Sequence, residues 1–183
     1  MNRAIARPLL TLAIVTTVAL WGFAKDTNSA KPVKKVAVAL KDAKGASVGT
    51  ATIKASGKGV EVKLDLKDLP PGDHALHFHR NATCEPPDFK SAGPHFNPDQ
   101  KEHGFLNPKG HHNGDMANFT VKANGTAKAT IKDADVVLGT GSEPNSLFVN
   151  GGTSLMIHAK ADDMKTDPAG NAGDRIACGV ITK

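Results

Sequence analysis

Val60-Glu61-Val62-Lys63-Leu64-Asp65-Leu66 sets four aliphatic side chains against three charged ones in strict alternation. Successive side chains of an extended strand leave opposite faces, so this stretch is a strand with one face buried and the other in water. The same period of two returns at Val36, Val38 and Leu40, at Phe119 and Val121, and at Leu155 and Ile157. Turn signals stand between these runs: Lys44-Gly45, Gly57-Lys58-Gly59, Pro70-Pro71-Gly72 and Asn124-Gly125. The last is the strongest short hairpin signal. Counting residues 74–79 and a final strand over 177–181 gives about eight strands, and no later stretch shows the period of an amphipathic helix. The expected fold class is all-β, an antiparallel sandwich or barrel. Residues 80–114 and 160–174 break the rhythm, and long loops in a compact β domain are usually functional.

The chain has 183 residues, one Trp and no Tyr, so its core must be built mainly from Val, Ile, Leu and Ala. That length suits one domain plus an extra segment. Residues 1–8 carry Arg3 and Arg7 with no acid, residues 9–24 are an apolar run, and small residues follow at Gly22, Ala24 and Ala30. A basic start, an apolar run and a small-residue cleavage site make a secretory signal peptide over 1–24, with cleavage as late as residue 30. The apolar run stops short of the roughly 20 residues that span a bilayer, so no stable membrane association is expected after cleavage. Residues 25–35 then read as a linker and 36–183 as the domain. Formal charge falls from +5 to +3 when Arg3 and Arg7 leave. No Lys/Arg cluster is interleaved with aromatics, which argues against nucleic acid. Two cysteines in an exported chain, Cys84 and Cys178, are expected to form one disulfide.

His77 and His79, then His95, His103, His112 and Asp115, and finally His158 form an ordered series in a chain holding eight histidines. Neutral imidazole is the commonest metal ligand and suits copper and zinc. His77 and His79 flank Phe78, so both rings leave one face of their strand. His158 ends another strand. His95, His103, His112 and Asp115 lie in a Gly/Pro/Asn-rich segment that needs help to hold a shape. Three imidazoles and a carboxylate fill all four positions of a structural zinc, and metal binding would supply the ordering energy.

His77-Phe78-His79, Ser91-Ala92-Gly93-Pro94-His95-Phe96-Asn97-Pro98, His112-Asn113-Gly114-Asp115, His158-Ala159-Lys160-Ala161-Asp162-Asp163 and Gly170-Asn171-Ala172-Gly173-Asp174-Arg175-Ile176-Ala177-Cys178-Gly179-Val180 resemble the copper/zinc superoxide dismutases. The motifs run in the family's order from about Val33 onward. The resemblance implies an eight-stranded antiparallel Greek-key β-sandwich or barrel with two functional loops. It implies copper on His77, His79, His95 and His158, zinc on His95, His103, His112 and Asp115, and His95 as the bridge. His111 competes with His112 on sequence alone; the Asp three residues after His112 matches the family spacing, which leaves His111 exposed. His74 matches a histidine that supports the site without ligating. Asp162 matches a carboxylate that accepts hydrogen bonds from His77 and His103, Arg175 a guanidinium beside the copper, and Cys84 with Cys178 the intrachain disulfide.

The implied activity converts two superoxide anions and two protons into dioxygen and hydrogen peroxide, with copper alternating between two oxidation states and His95 and Arg175 as the catalytic residues. An exported copper/zinc-binding protein without this activity is the alternative; it would need the ligands but not Arg175. The stretch from His158 to Arg175 is shorter than in the better-known eukaryotic members, and Ala169 replaces a Thr at the channel lip. Lys160 and Lys165 are that loop's only lysines, and Asp162, Asp163, Asp167 and Asp174 oppose them. The insertion 85–90 and the leader look bacterial and point to a periplasm or cell envelope. The alternation leaves both a monomer and a homodimer open.

Overall fold

The computed structural model describes residues 31–183 together with Met1. The signal peptide expected over 1–24 and most of the linker lie outside the described residues. The strands are β1 (Lys35–Asp42), β2 (Ser47–Ser56), β3 (Gly59–Leu66), β4 (Gly72–His74), β5 (Leu76–His79), β6 (Phe119–Val121), β7 (Ala127–Asp133), β8 (Thr153–His158) and β9 (Arg175–Ile181). Seven form one antiparallel, strongly curled sheet in the order β5-β8-β9-β1-β2-β3-β7, and β4 pairs with β6 in a small second sheet.

Nine strands replace the expected eight because the run 74–79 changes partners. His74 pairs with Phe119 of β6, whereas Leu76 pairs with Ile157 of β8. At the junction, Ala75 donates its N–H to the Lys160 carbonyl and accepts from His158 N–H. The alternation survives the change, and Leu76 and Phe78 both enter the core. The last strand also begins two residues earlier than expected, at Arg175, which lies opposite His158.

The alternation in β3 has the consequence read from sequence: Val60, Val62, Leu64 and Leu66 are buried, and Lys63 and Asp65 are exposed. They join Val38, Leu40, Ile53, Phe78, Leu155 and Ile157 in one core. Asn124-Gly125 makes the turn between β6 and β7, where Gly125 has φ 76° and Lys122 N–H donates to the Thr126 carbonyl. Three long connections remain, residues 80–118, 134–152 and 159–174; the sequence pattern marks the first and the last but not the second.

Cys84 and Cys178 are bonded, which ties the first long loop to β9. Phe89, Ala92, Met156 and Cys178 pack as a small second core beneath the bridge. This packing sets the short 3₁₀ turn Lys90–Ala92, and with it the carbonyls of Phe89 and Gly93. Closing a loop of this length restricts the unfolded chain, worth about 4 to 5 kcal/mol in the chain-entropy model. Cys84→Ser should therefore lower the unfolding free energy by about 4 kcal/mol; denaturant melts that coincide with those of the unmodified chain would contradict this.

Candidate metal centre

His77 and His79 leave β5 on the face opposite Leu76 and Phe78. On β8, His158 shares a face with Met156, opposite Leu155 and Ile157. Because β5 and β8 are antiparallel neighbours, the His158 ring centroid comes within 4.9 Å of His77 and 5.6 Å of His79. Two rigid strands thus converge three imidazoles.

The first long loop is zipped onto the same strand. Phe78 N–H donates to the Gly114 carbonyl, Phe96 N–H to the Phe78 carbonyl and Gly114 N–H to the Phe96 carbonyl, at 2.9, 2.8 and 2.8 Å. A Cβ on Gly114 would sit 2.5 Å from the Phe78 carbonyl oxygen, so the close approach requires glycine. The pairing continues as isolated bridges between His77 and Asp115 and between His79 and His95. Loop ligands are thereby held in register with strand ligands.

Two groups of four buried donor atoms result, each within 4.8 Å of one another: His77, His79, His95 and His158, and His95, His103, His112 and Asp115, beside a smaller set of His77, His103 and Asp162. His95 is common to both. Its Nδ1 lies 2.9 Å from Asp115 Oδ1 and 3.3 Å from His112 Nδ1, on the side of the second group. Its Nε2 has no hydrogen-bond partner and neither does His77 Nδ1, although both atoms are buried; His103 Nδ1 faces Asp115 Oδ2 at 3.0 Å, within the second group. His79 Nε2 and His158 Nε2 face each other at 3.4 Å. Buried polar atoms are nearly always paired, and one left unmatched costs roughly 1–3 kcal/mol. Ring nitrogens turned on one another, four around one point and three with a carboxylate around another, are donor sets that a soft-to-borderline divalent cation satisfies.

Nitrogens on the far side of the rings are anchored. His77 Nε2–H donates to Asp162 Oδ2 at 2.8 Å and His103 Nε2–H to Asp162 Oδ1 at 3.0 Å, so one carboxylate joins the two groups. His79 Nδ1–H donates to the Gly93 carbonyl at 2.8 Å and His158 Nδ1–H to that of Gly173 at 3.2 Å. Such partners fix the tautomer and aim the opposite nitrogen. His74 supports from behind, its ring nitrogens 2.8 Å from the main-chain oxygens of His158 and Pro70. His111 lies outside both groups; it pairs with Asp135 at 3.0 Å and packs against Phe105, half-buried rather than exposed.

Arg175 begins β9 directly opposite His158. Its Nη1 and Nη2 donate to the Phe89 and Gly93 carbonyls, both at 2.8 Å. The Gly93 oxygen thus receives both the guanidinium and His79. A cleft lined by Asp88, Lys90, Gly173, Asp174 and Arg175 opens here.

A family model described as copper/zinc superoxide dismutase matches residues 47–181. The chain belongs to the copper/zinc superoxide dismutase family. It is 49% identical over 139 residues to "Superoxide dismutase [Cu-Zn] 1" of Aquifex aeolicus, covering 75% of this chain and 82% of the relative. It is 45% identical over 139 residues to "Superoxide dismutase [Cu-Zn]" of Caulobacter vibrioides, covering 75% and 79%. Among solved structures, a superoxide dismutase-like protein from Bacillus subtilis superposes with a TM-score of 0.75 at 38% identity, covering 79% of this chain and 96% of that one. The Cu/Zn superoxide dismutase from Brucella abortus gives 0.66 at 29% identity, covering 81% and 99%. The two donor sets are those a copper and a zinc of this family require.

Sequence reading missed the parts that hold Asp162. Asn118 clamps its main chain from both sides: Asn118 Nδ2 donates to the Asp162 carbonyl at 2.9 Å, and Asp162 N–H donates to Asn118 Oδ1 at 2.8 Å. Gly170 passes so near that a Cβ would collide with both the Asp162 carboxylate and His103 Nε2. Asn118 stands 44 residues from Asp162, and Gly170 meets His103 from the other long loop, so no local pattern marks them.

Burial sets the protonation of the metal-free site. It drives His95 down to about 3 and His158 down to about 4, and lowers His77 and His79 as well. Burial also opposes charge on His103, yet Asp115 and Asp162 outweigh it and raise the ring to about 9. A histidine whose folded value is depressed stabilises the fold above the ordinary value of 6.5, and that contribution is lost as pH falls toward 4 and 3. His103 acts in reverse, contributing below 6.5 and fading as pH rises through about 9. Thermal melts of metal-stripped protein should therefore peak near pH 6.5 and fall more steeply on the acid side, where four rings titrate against one on the alkaline side. A midpoint that keeps rising down to pH 4 would refute the assignment.

Proposed function

We propose that this chain is an exported superoxide dismutase in which His77, His79, His95 and His158 hold copper and His95, His103, His112 and Asp115 hold zinc. The observation that carries the reading is His95, whose two ring nitrogens are committed to separate buried donor groups. A lone metal site needs one nitrogen from each ring. Membership of the family supplies the activity: two superoxide anions and two protons become dioxygen and hydrogen peroxide. Copper when bound supplies the one-electron chemistry by alternating between two oxidation states, and zinc, which has no redox chemistry of its own, orders the loop and His95.

The chain's own groups supply binding and proton handling. Arg175 has five N–H donors, of which the Phe89 and Gly93 carbonyls take two. The others, on a permanently charged planar group, suit a small anion at the cleft. His95 Nε2 points into the four-histidine group and is the atom placed to hold a proton and pass it to peroxide. Asp162 accepts from His77 and His103 and so holds both rings oriented across the two groups. A copper-storage protein would need the four histidines but no guanidinium locked beside them by two carbonyls.

Export rests on the basic and apolar leader of residues 1–24 and on a disulfide, which persists in oxidising compartments. A periplasm or cell envelope fits both.

Two variants separate metal holding from anion binding. His158→Ala should lose copper and dismutase activity on purification from copper-supplemented cells while keeping zinc, as metal analysis will read. Arg175→Ala should retain both metals and lose about ten-fold or more in kcat/KM for superoxide, the scale of one charge-assisted hydrogen bond. A fully metallated wild-type protein with no dismutase activity would sink the proposal.

A further inference from the structure

The loop 159–174 makes a contact with the zinc group that Asp162 does not explain. Four ligand rings have their outward nitrogen hydrogen-bonded: His77 and His103 to Asp162, His79 to Gly93 and His158 to Gly173. His95 has no outward nitrogen. His112 is left over, and among the described residues its Nε2 makes no hydrogen bond. Both oxygens of Asp162 are already taken, and Asp115 is itself in the donor group. The carboxylate facing His112 Nε2 is Asp167, whose Oδ1 lies 3.9 Å away. That same oxygen accepts the main-chain N–H of His103 at 2.6 Å.

Asp167 is held in place by a braced turn. The Asp163 carboxylate accepts the N–H groups of Lys165 and Thr166, the Thr166 hydroxyl and the Asn171 amide, and Gly170 N–H donates to the Thr166 carbonyl. The turn presents Asp167 to two residues of the zinc group at once, the main chain of His103 and the ring of His112.

We propose that Asp167 is the outer carboxylate of His112, a positioning residue that fixes this ring and couples the 159–174 loop to zinc. The proposal rests on the zinc assignment above. A distance of 3.9 Å is longer than a hydrogen bond. A ring that gives its Nδ1 lone pair to a cation carries a more positive Nε2–H, and a nearby carboxylate then orients the ring and strengthens it as a ligand. The loop that Asp167 anchors also runs on to Arg175, so zinc retention and the placement of the guanidinium share one tether.

The test is zinc release from the copper- and zinc-loaded protein to a chromophoric chelator, with the visible spectrum of protein carrying Co(II) in place of zinc. Asp167→Asn keeps an oxygen for His103 N–H and removes the charge facing His112. It should release zinc about ten-fold faster, the low end of outer-partner effects, and shift the Co(II) bands, with copper retained and Asp167→Glu recovering part of the loss. Wild-type release and spectrum in Asp167→Asn overturn the proposal, including the case where only Asp167→Ala is impaired, which would make the residue a loop cap. His112→Ala is the control for the assignment beneath it. If that variant keeps its zinc, the zinc assignment itself has failed and the proposal falls with it; if it loses zinc while Asp167→Asn does not, only the role of Asp167 is refuted.

Discussion

Six buried imidazoles turned toward one another are a cost that the β-scaffold cannot absorb by itself. Within each group the donor atoms lie within 4.8 Å of one another, and His77 Nδ1 and His95 Nε2 are buried without a hydrogen-bond partner. Protonating His77, His79, His95 and His158 is opposed by burial, which takes His95 to about 3 and His158 to about 4. Leaving them neutral strands polar atoms away from water. Cations resolve the conflict, so metal binding and the ordering of the first long loop are one thermodynamic event. The architecture follows from that need: rigid strands present three rings, and a loop with little packing of its own presents the rest.

Coupling between the two groups runs through few atoms. His95 belongs to both, and the Asp162 carboxylate accepts one ring from each. Behind Asp162 stands the Asn118 clamp, at the foot of β6. On the other flank, the Gly93 carbonyl receives His79 and Arg175 together, which ties a ring of the four-histidine group to the guanidinium. The disulfide and the small core under it hold that carbonyl in place. Displacing any one of these supports moves groups in both loops that carry the site, because each support joins elements from different parts of the chain.

The legible part of this protein is the part governed by local periodicity. Strand alternation in β1, β3, β6 and β8 put Val62, Leu64, Phe119, Leu155 and Ile157 inside, where they are found. The hairpin at Asn124-Gly125 and the two loops that carry the site were equally plain, the connection 134–152 was not, and His77 with His79 on one strand face followed from a two-residue repeat. Resemblance to a known family then sorted the histidines, Asp162 and Arg175. What local pattern did not carry was the break at Ala75, where the backbone changes partners between two sheets, since nothing in 74–79 interrupts the alternation.

Sequence alone determined the donor inventory, because residue type decides which atoms can ligate, and it determined the strands, because side-chain period decides which face is buried. Tertiary structure alone decided how those donors are aimed. Gly114 against Phe78, Asn118 against Asp162, Gly93 beneath Arg175 and Asp167 beside His103 and His112 are contacts between segments remote in the chain. Most of them use main-chain groups, and a carbonyl or N–H is the same for every residue type. Its partner is chosen by the path of the fold, so it leaves no mark in the letters of the sequence.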